Sequence, residues 1–452
     1  MPFSPGGCDP LAGPVGARPG GGGTLARMPD LPPDAGGDAP SWIGRDARSV
    51  WHGFTQMSCY EESTPVLVDR AEGRELIDVD GRRYLDAISS LWVTTLGHRV
   101  PELDQALRDQ LDKVAHSTML GNGNTATVEL TEALVPRLPV DDPHILYASD
   151  GAAAVEQALK LAFQFWTNAG RRDRTGFLAL GGAYHGDTIG ALSLGAGGFG
   201  TDVFDPLRFP VVRAPGYDDP DWARATIRLL DTHAPTLAAL VLEPMVQGAA
   251  GMHVTDPTSV GRVVAAAQAL DVLVIVDEVA TGFGRTGTMF ASEQCAIRPD
   301  LLVIGKGLTG GYLPLSATVA SRRVYEGFLG PDLSERTFYH GHSYSGNALA
   351  CAVARRHLAL MDELDVLANA RDQARLLAKL LDEHLTGSPA VAEIRQRGLM
   401  VGVELASPDP DRRWGRRVCA EAVRRGVLLR VSGLGGGTPG RCCGAERCGA
   451  AA

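Results

Sequence analysis

Val272-Leu273-Val274-Ile275-Val276-Asp277-Glu278 and Leu301-Leu302-Val303-Ile304-Gly305-Lys306 are two short apolar runs that end abruptly in ionisable residues. An apolar run without the alternation of a half-exposed strand is the pattern of a strand buried on both faces. Similar runs stand at Ile145–Ala148, 177–180 and 237–242. Between them, 102–115, 127–137, Ala152–Trp166 and 257–270 carry apolar residues at helical spacing; in the third, Val155, Leu159, Ala162, Phe163 and Trp166 share one face. Buried strands separated by helices predict an α/β fold with a mostly parallel central sheet and helices on both faces. Ligands of such sheets bind at the carboxyl ends of the strands. Asp277 and Lys306 therefore leave their strands where chemistry is expected.

Outward from this centre, the chain of 452 residues is 44% hydrophobic and 21% charged, an ordinary globular composition. At roughly 100–200 residues per domain it has room for a large core and a smaller second domain. A net charge of −10 argues against nucleic acid or an anionic membrane as partner. No apolar run approaches the ~18 residues of a membrane span. Met1–Gly7 lacks the basic and apolar regions of a signal peptide. The eight cysteines are scattered, which reads as reduced thiols of a cytoplasmic protein.

Residues 1–45 are rich in Gly, Pro and Ala and read as a disordered extension, with Met28 as an alternative start and order expected from about Trp51. Residues 46–97, with short strands across 65–87 around the turn Asp80-Gly81-Arg82, read as the N-terminal part of a small domain. Residues 98–345 form the large domain. Residues 346–430 hold a long helix from about 345 to 362, helices at 367–385 and 411–425, and the strand-like Gly398–Leu405, completing the small domain. Residues 431–452 are Gly- and Cys-rich without a core pattern. They are expected to be a disordered tail or the product of a reading-frame error after Arg430.

Lysine occurs only at 113, 160, 306 and 379, so amine chemistry has few candidates. Lys306 is flanked by Gly305, Gly307, Gly310 and Gly311, which leave backbone room for a planar ligand. Burial lowers a lysine's pKa and makes its amine nucleophilic towards an aldehyde. A carboxylate such as Asp277 keeps a pyridinium nitrogen protonated, as an electron-sink cofactor requires. Ser149-Asp150-Gly151-Ala152 precedes a helix and offers N–H groups and a positive dipole end to a phosphate. The loop Gly182–Thr188 presents Tyr184 and His185 between glycines. Rival motifs fall short. In Gly195–Gly200 the glycine spacing of a dinucleotide site runs into Asp205-Pro206 where a helix should begin. Gly121–Ala126 follows no strand and reads as a loop and N-cap. Gly307 stands where a phosphate-binding P-loop needs Ser or Thr, and His340 and His342 have no further ligand to complete a metal set, so no metal is expected.

The runs Val276–Gly287, Gly305–Leu313, Tyr184–Thr188 and Glu243–Gly248 resemble the class III, fold type I pyridoxal-phosphate aminotransferases. Trp51–Met57, Ser89–Trp92 and Phe338–Asn347 are similar to the branch of that family that forms diaminopelargonate for biotin synthesis. The likeness spans roughly residues 48–430. It implies pyridoxal 5'-phosphate as cofactor, bound covalently by Lys306, which also moves the proton during transfer. It further implies Asp277 at the pyridinium nitrogen, Tyr184 and His185 beside the ring, and Gly151 and Ala152 at the phosphate. His342 and Ser343 of a partner subunit would join them there, making an obligate homodimer. Phe54, Leu91, Trp92, Tyr184, Gly341 and Arg430 would contact substrate, Arg430 clamping its carboxylate. The implied acceptor is 8-amino-7-oxononanoate. Where relatives carry Ser, this chain has Ala152. Phe54, Leu91 and the His342-Ser343 pair replace the Tyr, Trp and Pro-Thr of many S-adenosylmethionine users, so the donor is S-adenosylmethionine or, alternatively, lysine. Another class III ω-aminotransferase activity and a non-enzymatic product are the rival readings.

Overall fold

The computed structural model describes residues 41–63, 65–196, 200–406, 414–432 and 447–451. The chain divides into two units, Met1–Leu67 and Val68–Ala452. In the first, a helix occupies Trp42–Ser49, so regular structure begins before Trp51, where it was expected. Its order comes from polar chemistry that composition hides. Gly44 N–H donates to Ser41 Oγ (3.1 Å), and His52 Nε2 meets Asp46 Oδ2 (2.6 Å) while its ring stacks on Tyr60. Residues 1–40 of the expected disordered extension lie outside the described residues.

The second unit is built on a seven-stranded sheet. From one edge, its order is His144–Ala148, Ser316–Ala320, Leu301–Ile304, Leu273–Asp277, Leu237–Leu242, Gly176–Leu180 and Val212–Ala214. From Leu301–Ile304 to Val212–Ala214 every pairing is parallel. Ser316–Ala320 runs antiparallel to both its neighbours. Alternate residues of each strand enter two separate cores. Leu240, Leu242, Val274, Val276 and Leu302 join the helices Thr125–Leu134, Pro257–Ala269 and Ala348–Glu363, whereas Val241, Ile275 and Val303 pack with Gly151–Asn168. This is the expected α/β sheet with both faces covered.

Several details differ from the sequence reading. The helix expected over 102–115 is Pro101–Leu111. Phe163 is 45% exposed, because it lies at the edge of the apolar face that Val155, Leu159, Ala162 and Trp166 bury. Ser316–Ala320 carried no apolar signal, yet it is wholly buried. Its hydroxyls are satisfied: Thr318 Oγ1 donates to Ala154 O and Ser316 Oγ to Asp150 O, both at 2.6 Å.

Among the described residues, two four-stranded sheets and a two-stranded one (Val246–Gln247 with His253–Val254) accompany it. Val68–Glu72, Glu75–Asp78 and Arg83–Asp86 are antiparallel, and Val427–Leu428 adds to Arg83–Asp86 in parallel. Val391–Arg397 pairs with Met400–Leu405, which in turn pairs with Arg447–Ala451. The tail expected to lack structure thus supplies a strand. A sheet edge offers backbone hydrogen bonds whatever the side-chain pattern of the segment it receives. Residues 433–446 of that tail, and 197–199 of the Gly195–Gly200 run, lie outside the described residues. Among the described residues no helix is long and apolar enough to cross a membrane.

Candidate active site

Asp277 is the last residue of its strand and 5% exposed. Its Oδ1 accepts from Val279 N–H (3.0 Å) and its Oδ2 from His185 Nδ1–H (2.8 Å). A carboxylate only accepts, so the proton of that bond sits on Nδ1. His185 is itself buried, and its Nε2 has no protein partner. The next residue, Glu278, turns the other way and is fully buried. It accepts from Thr281 Oγ1, Ala291 N–H, Ser292 N–H and Ser292 Oγ at 2.6–3.0 Å. Burial pushes its carboxyl upward while those donors pull against it.

Lys306 follows the neighbouring strand with a backbone φ of 42°, a left-handed conformation costing about 1–3 kcal/mol at a non-glycine residue. The glycines beside it admit close packing. A Cβ on Gly305 would lie 3.3 Å from Ser316 Cβ, and one on Gly307 would lie 3.0 Å from Phe283 Cβ. The Lys306 ammonium sits 4.7 Å from the centroid of the Trp92 ring. Burial lowers its pKa to about 8, against the opposing pull of Asp277 and Glu243. A sizeable share of the amine is therefore neutral and nucleophilic near neutral pH.

The helix Gly151–Asn168 opens towards the same space. Asp150 caps it by accepting from Ala153 N–H at 2.9 Å, and the first intrahelical bond is Ala154 N–H to Asp150 O. The N–H groups of Gly151 and Ala152 precede that bond and face the open end. A Cβ on Gly151 would come within 2.9 Å of Val279 Cγ1. One on Gly186, where φ is 124°, would come within 2.4 Å of Ala152 Cβ.

Glu243 ends the third parallel strand's apolar run, and the sequence reading gave it no role. The signal was available, since Leu237–Leu242 runs into Glu243 as Leu273–Val276 runs into Asp277. Its carboxylate accepts from Tyr184 N–H (3.2 Å) and Gly248 N–H (3.3 Å), and burial pushes its pKa up to about 7. The Tyr184 hydroxyl donates to Asp187 Oδ2 at 3.0 Å; burial, then the Asp187 charge, raises the phenol's pKa.

These groups surround one cavity of about 520 Å³, lined by Trp92, Gly151, Ala152, Tyr184, His185, Asp187, Glu243, Asp277 and Lys306 among others. Seven residues expected from sequence thus come together: Lys306, Asp277, Tyr184, His185, Gly151, Ala152 and Trp92. Leu91 is 39% exposed and does not line the cavity. Nor does Arg430, on the strand Arg430–Val431, although its charge bears on Tyr184 and Lys306. Gly341, His342 and Ser343 lie outside it too; Ser343 O meets His116 Nε2 and His342 meets His340. Phe54 belongs to the other unit and is exposed. A larger cavity, about 1140 Å³, follows the outer side of the Gly151–Asn168 helix. Two of its ionisable groups are engaged already, Glu156 by Gly190 N–H and Lys160 by His340.

Trp92 reaches the cavity from an unusual backbone. Ser89, Ser90, Leu91 and Trp92 have φ of 49°, 48°, 76° and 65°, one turn of left-handed helix made without glycine. For L-residues that handedness costs roughly 1–2 kcal/mol each. Asp86 opposes the cost: its carboxylate accepts from Ser90 N–H (2.9 Å), Ser90 Oγ (2.7 Å) and His98 Nε2 (2.9 Å). Arg285 adds bonds to Ser89 Oγ (3.2 Å) and Thr94 O (2.8 Å).

A strand-end lysine, a carboxylate backed by histidine and a helix start thus face one cavity. The family described as Aminotransferase class-III matches residues 57–435. The chain belongs to the class III aminotransferases. The adenosylmethionine-8-amino-7-oxononanoate aminotransferase of Nitratidesulfovibrio vulgaris is 44% identical over 89% of this chain and 78% of its own length. The crystal structure of the enzyme so named from Methanocaldococcus jannaschii aligns with a TM-score of 0.82 and 38% identity, covering 86% of this chain and 91% of that one. An amine transaminase from an uncultivated Pseudomonas species, in its pyridoxal-phosphate-bound form, aligns with a TM-score of 0.78 and 31% identity over 84% and 91%.

As a class III aminotransferase the protein uses pyridoxal phosphate. The residues around the cavity suit that group chemically. They offer an amine of depressed pKa for its aldehyde, a fixed carboxylate for its ring nitrogen and helix N–H groups for its phosphate. The buried, unpartnered His185 Nε2 is a polar atom that a bound group could satisfy.

Proposed function

We propose that this class III aminotransferase transfers an amino group from S-adenosylmethionine to 8-amino-7-oxononanoate, yielding 7,8-diaminononanoate, the biotin-pathway reaction its relatives are named for. The observation that carries the mechanism is Lys306, its pKa lowered to about 8, lining one cavity with an Asp277 that is held at both oxygens.

Bound in the cavity, pyridoxal phosphate supplies an aldehyde carbon to carry the amino group and a ring to accept the electron pair freed at the substrate carbon. Asp277 holds a proton at the ring nitrogen, and the bonds from His185 and Val279 keep its oxygens from turning away. Lys306 would anchor the aldehyde carbon in the resting enzyme, and its neutral amine would serve as the base that takes up and returns the proton of the transfer. Gly151 and Ala152 bind the phosphate through backbone N–H groups, which need no hydroxyl at position 152. Tyr184 and His185 border the cofactor. Trp92 forms an apolar wall for a long-chain acceptor, and Arg430 binds the substrate carboxylate through its planar fork.

We further propose that the enzyme is a cytoplasmic homodimer. Gly341, His342 and Ser343 stand away from their own chain's cavity, which supports their serving the site of a second copy. Cys59, Cys295 and Cys351 are thiols rather than disulfides, as a reducing compartment requires.

The test is product formation by the purified enzyme with pyridoxal phosphate and 8-amino-7-oxononanoate. S-adenosylmethionine and lysine are supplied in separate reactions, and 7,8-diaminononanoate is followed by mass spectrometry. Product is expected with S-adenosylmethionine; product with lysine alone would overturn the donor, and no product with either would overturn the reaction. Lys306→Ala should lower turnover by on the order of 10⁴-fold or more, since it removes both the anchor and the proton carrier.

A further inference from the structure

The left-handed turn Ser89–Trp92 is a strained element on the wall of the cavity, and the groups that hold it wound lie outside the cavity. Ser90 N–H and Oγ both donate to Asp86, whose other visible partner is His98 Nε2. Asp86 is 9% exposed. Burial alone would push its carboxyl up, but the bonds from His98 and Ser90 outweigh it and hold the group below the usual carboxylate range. The backbone closes on itself as well: Trp92 N–H reaches Ile88 O at 2.7 Å and Val93 N–H reaches Ser89 O at 2.9 Å. Space is kept for the result. A Cβ on Gly248 would lie 3.2 Å from the Trp92 ring, and one on Gly311 would lie 3.0 Å from Thr94 Cα. Trp92 is 8% exposed in this arrangement, with its ring under the Lys306 amine.

A right-handed or extended path through residues 89–92 would relieve the strain and swing the indole off Lys306, since reversing φ redirects each Cα–Cβ bond. Nothing in the four side chains favours the left-handed path, because none is glycine and none is Asn or Asp. The preference must come from outside the turn, where Arg285 bonds Ser89 Oγ and Asp86 makes two charge-assisted bonds to Ser90.

We propose that Asp86 is a positioning residue for substrate: by latching Ser90 it keeps the Ser89–Trp92 turn left-handed and so holds the Trp92 indole as a fixed wall against Lys306. The proposal rests on the reading of the Lys306 cavity as the transamination site, and deepens it by assigning the residue that shapes the acceptor's binding wall.

The test uses the holoenzyme and three variants: Asp86→Ala, the double variant Asp86→Ala with Ser90→Gly, and Asp86→Asn. Two readouts are taken, steady-state kinetics with 8-amino-7-oxononanoate and acrylamide quenching of Trp92. The Trp92 emission is isolated by subtracting the matching Trp92→Phe protein. Asp86→Ala should raise KM about tenfold while kcat stays within about threefold, the signature of lost binding rather than lost chemistry. The Trp92 emission, shielded in the parent, should become quenchable. Glycine at position 90 carries no penalty for a left-handed backbone, so the double variant should recover both KM and shielding. A residue that merely stabilised the fold would show no such rescue. Asp86→Asn, which keeps an acceptor for Ser90 N–H, should fall between parent and Ala, and decides the matter if the Ala variant does not fold. Trp92 remaining shielded in Asp86→Ala, or a KM unmoved by it, would overturn the latch. Failure of the parent enzyme to turn over this acceptor would instead overturn the functional reading, while the quenching series still judges the latch by itself.

Discussion

At the carboxyl ends of the parallel strands, Asp277 ends, and Glu243 and Lys306 come just after, strands whose residues are wholly buried. Their positions are set by hydrophobic packing shared across many residues, and each local bond is a refinement. At Ser89–Trp92 the same cavity is bounded by a segment with no such support, wound against its preferred hand and secured by a few hydrogen bonds to Asp86 and Arg285. The first kind of placement tolerates the loss of a single bond, because the strand stays where its core puts it. The second kind depends on each bond. One site therefore combines a rigid chemical floor with a wall whose geometry is conditional.

Adjacent carboxylates at the strand exit separate structure from chemistry most sharply. Glu278→Ala leaves the Ala291 and Ser292 donors buried without an acceptor and should destabilise the fold by about 3–5 kcal/mol in urea unfolding. Asp277→Asn, one residue away, should leave the unfolding midpoint nearly unchanged while kcat falls roughly 10²–10³-fold, because a preorganised charge is lost and the strand is not. Similar stability losses in the two variants would mean that the floor is no more rigid than the wall.

A smaller effect should appear in the pH dependence of cofactor uptake. With the Lys306 pKa lowered to about 8, only the neutral amine attacks the aldehyde. The rate at which cofactor-free protein binds pyridoxal phosphate should then rise about tenfold per pH unit below that value and level off above it. A rise continuing to pH 10 would show that burial does not tune the amine. The smallest effect is expected at Glu243. Its folded pKa of about 7 lies above its ordinary 4.5, so between those values the folded state holds a proton that the unfolded chain has lost. Stability consequently falls as pH rises through that window. Glu243→Gln should remove this cost, gaining roughly 1–3 kcal/mol at pH 8 and nothing at pH 4; equal gains at both would rule it out.

The sheet's floor was legible in sequence because continuous apolar runs have one economical reading. Leu301–Ile304 has the expected bounds, and Leu273–Asp277 differs from expectation by one residue. Ser316–Ala320 was not legible, since its small and hydroxylated side chains are buried by bonds to Ala154 and Asp150 that only the folded chain supplies. The wall was half legible. Ser89–Trp92 drew notice as a resemblance, but neither its handedness nor the role of Asp86 follows from propensity, which disfavours the observed backbone. Glu243 was missed because Glu243–Gly248 was read as a resemblance, and the strand expected at 237–242 was not followed to the acid at its end. Phe163 shows the limit of helical periodicity, which assigns a face but not where its edge meets solvent.

The antiparallel strand Ser316–Ala320 also sets when the enzyme can come into being. Among the described residues it is the only sheet neighbour of His144–Ala148, the strand that leads into the helix start at Gly151. A nascent chain emerging from the ribosome has already released Tyr184, Glu243, Asp277 and Lys306 before residues 316–320 follow. Until they do, the first-made strand of the seven-stranded sheet lacks its neighbour there and the helix start cannot be fixed against the rest. The site is thus closed by one of its latest-arriving pieces, and translation stalled just short of residue 320 would leave an exposed apolar edge in place of an enzyme.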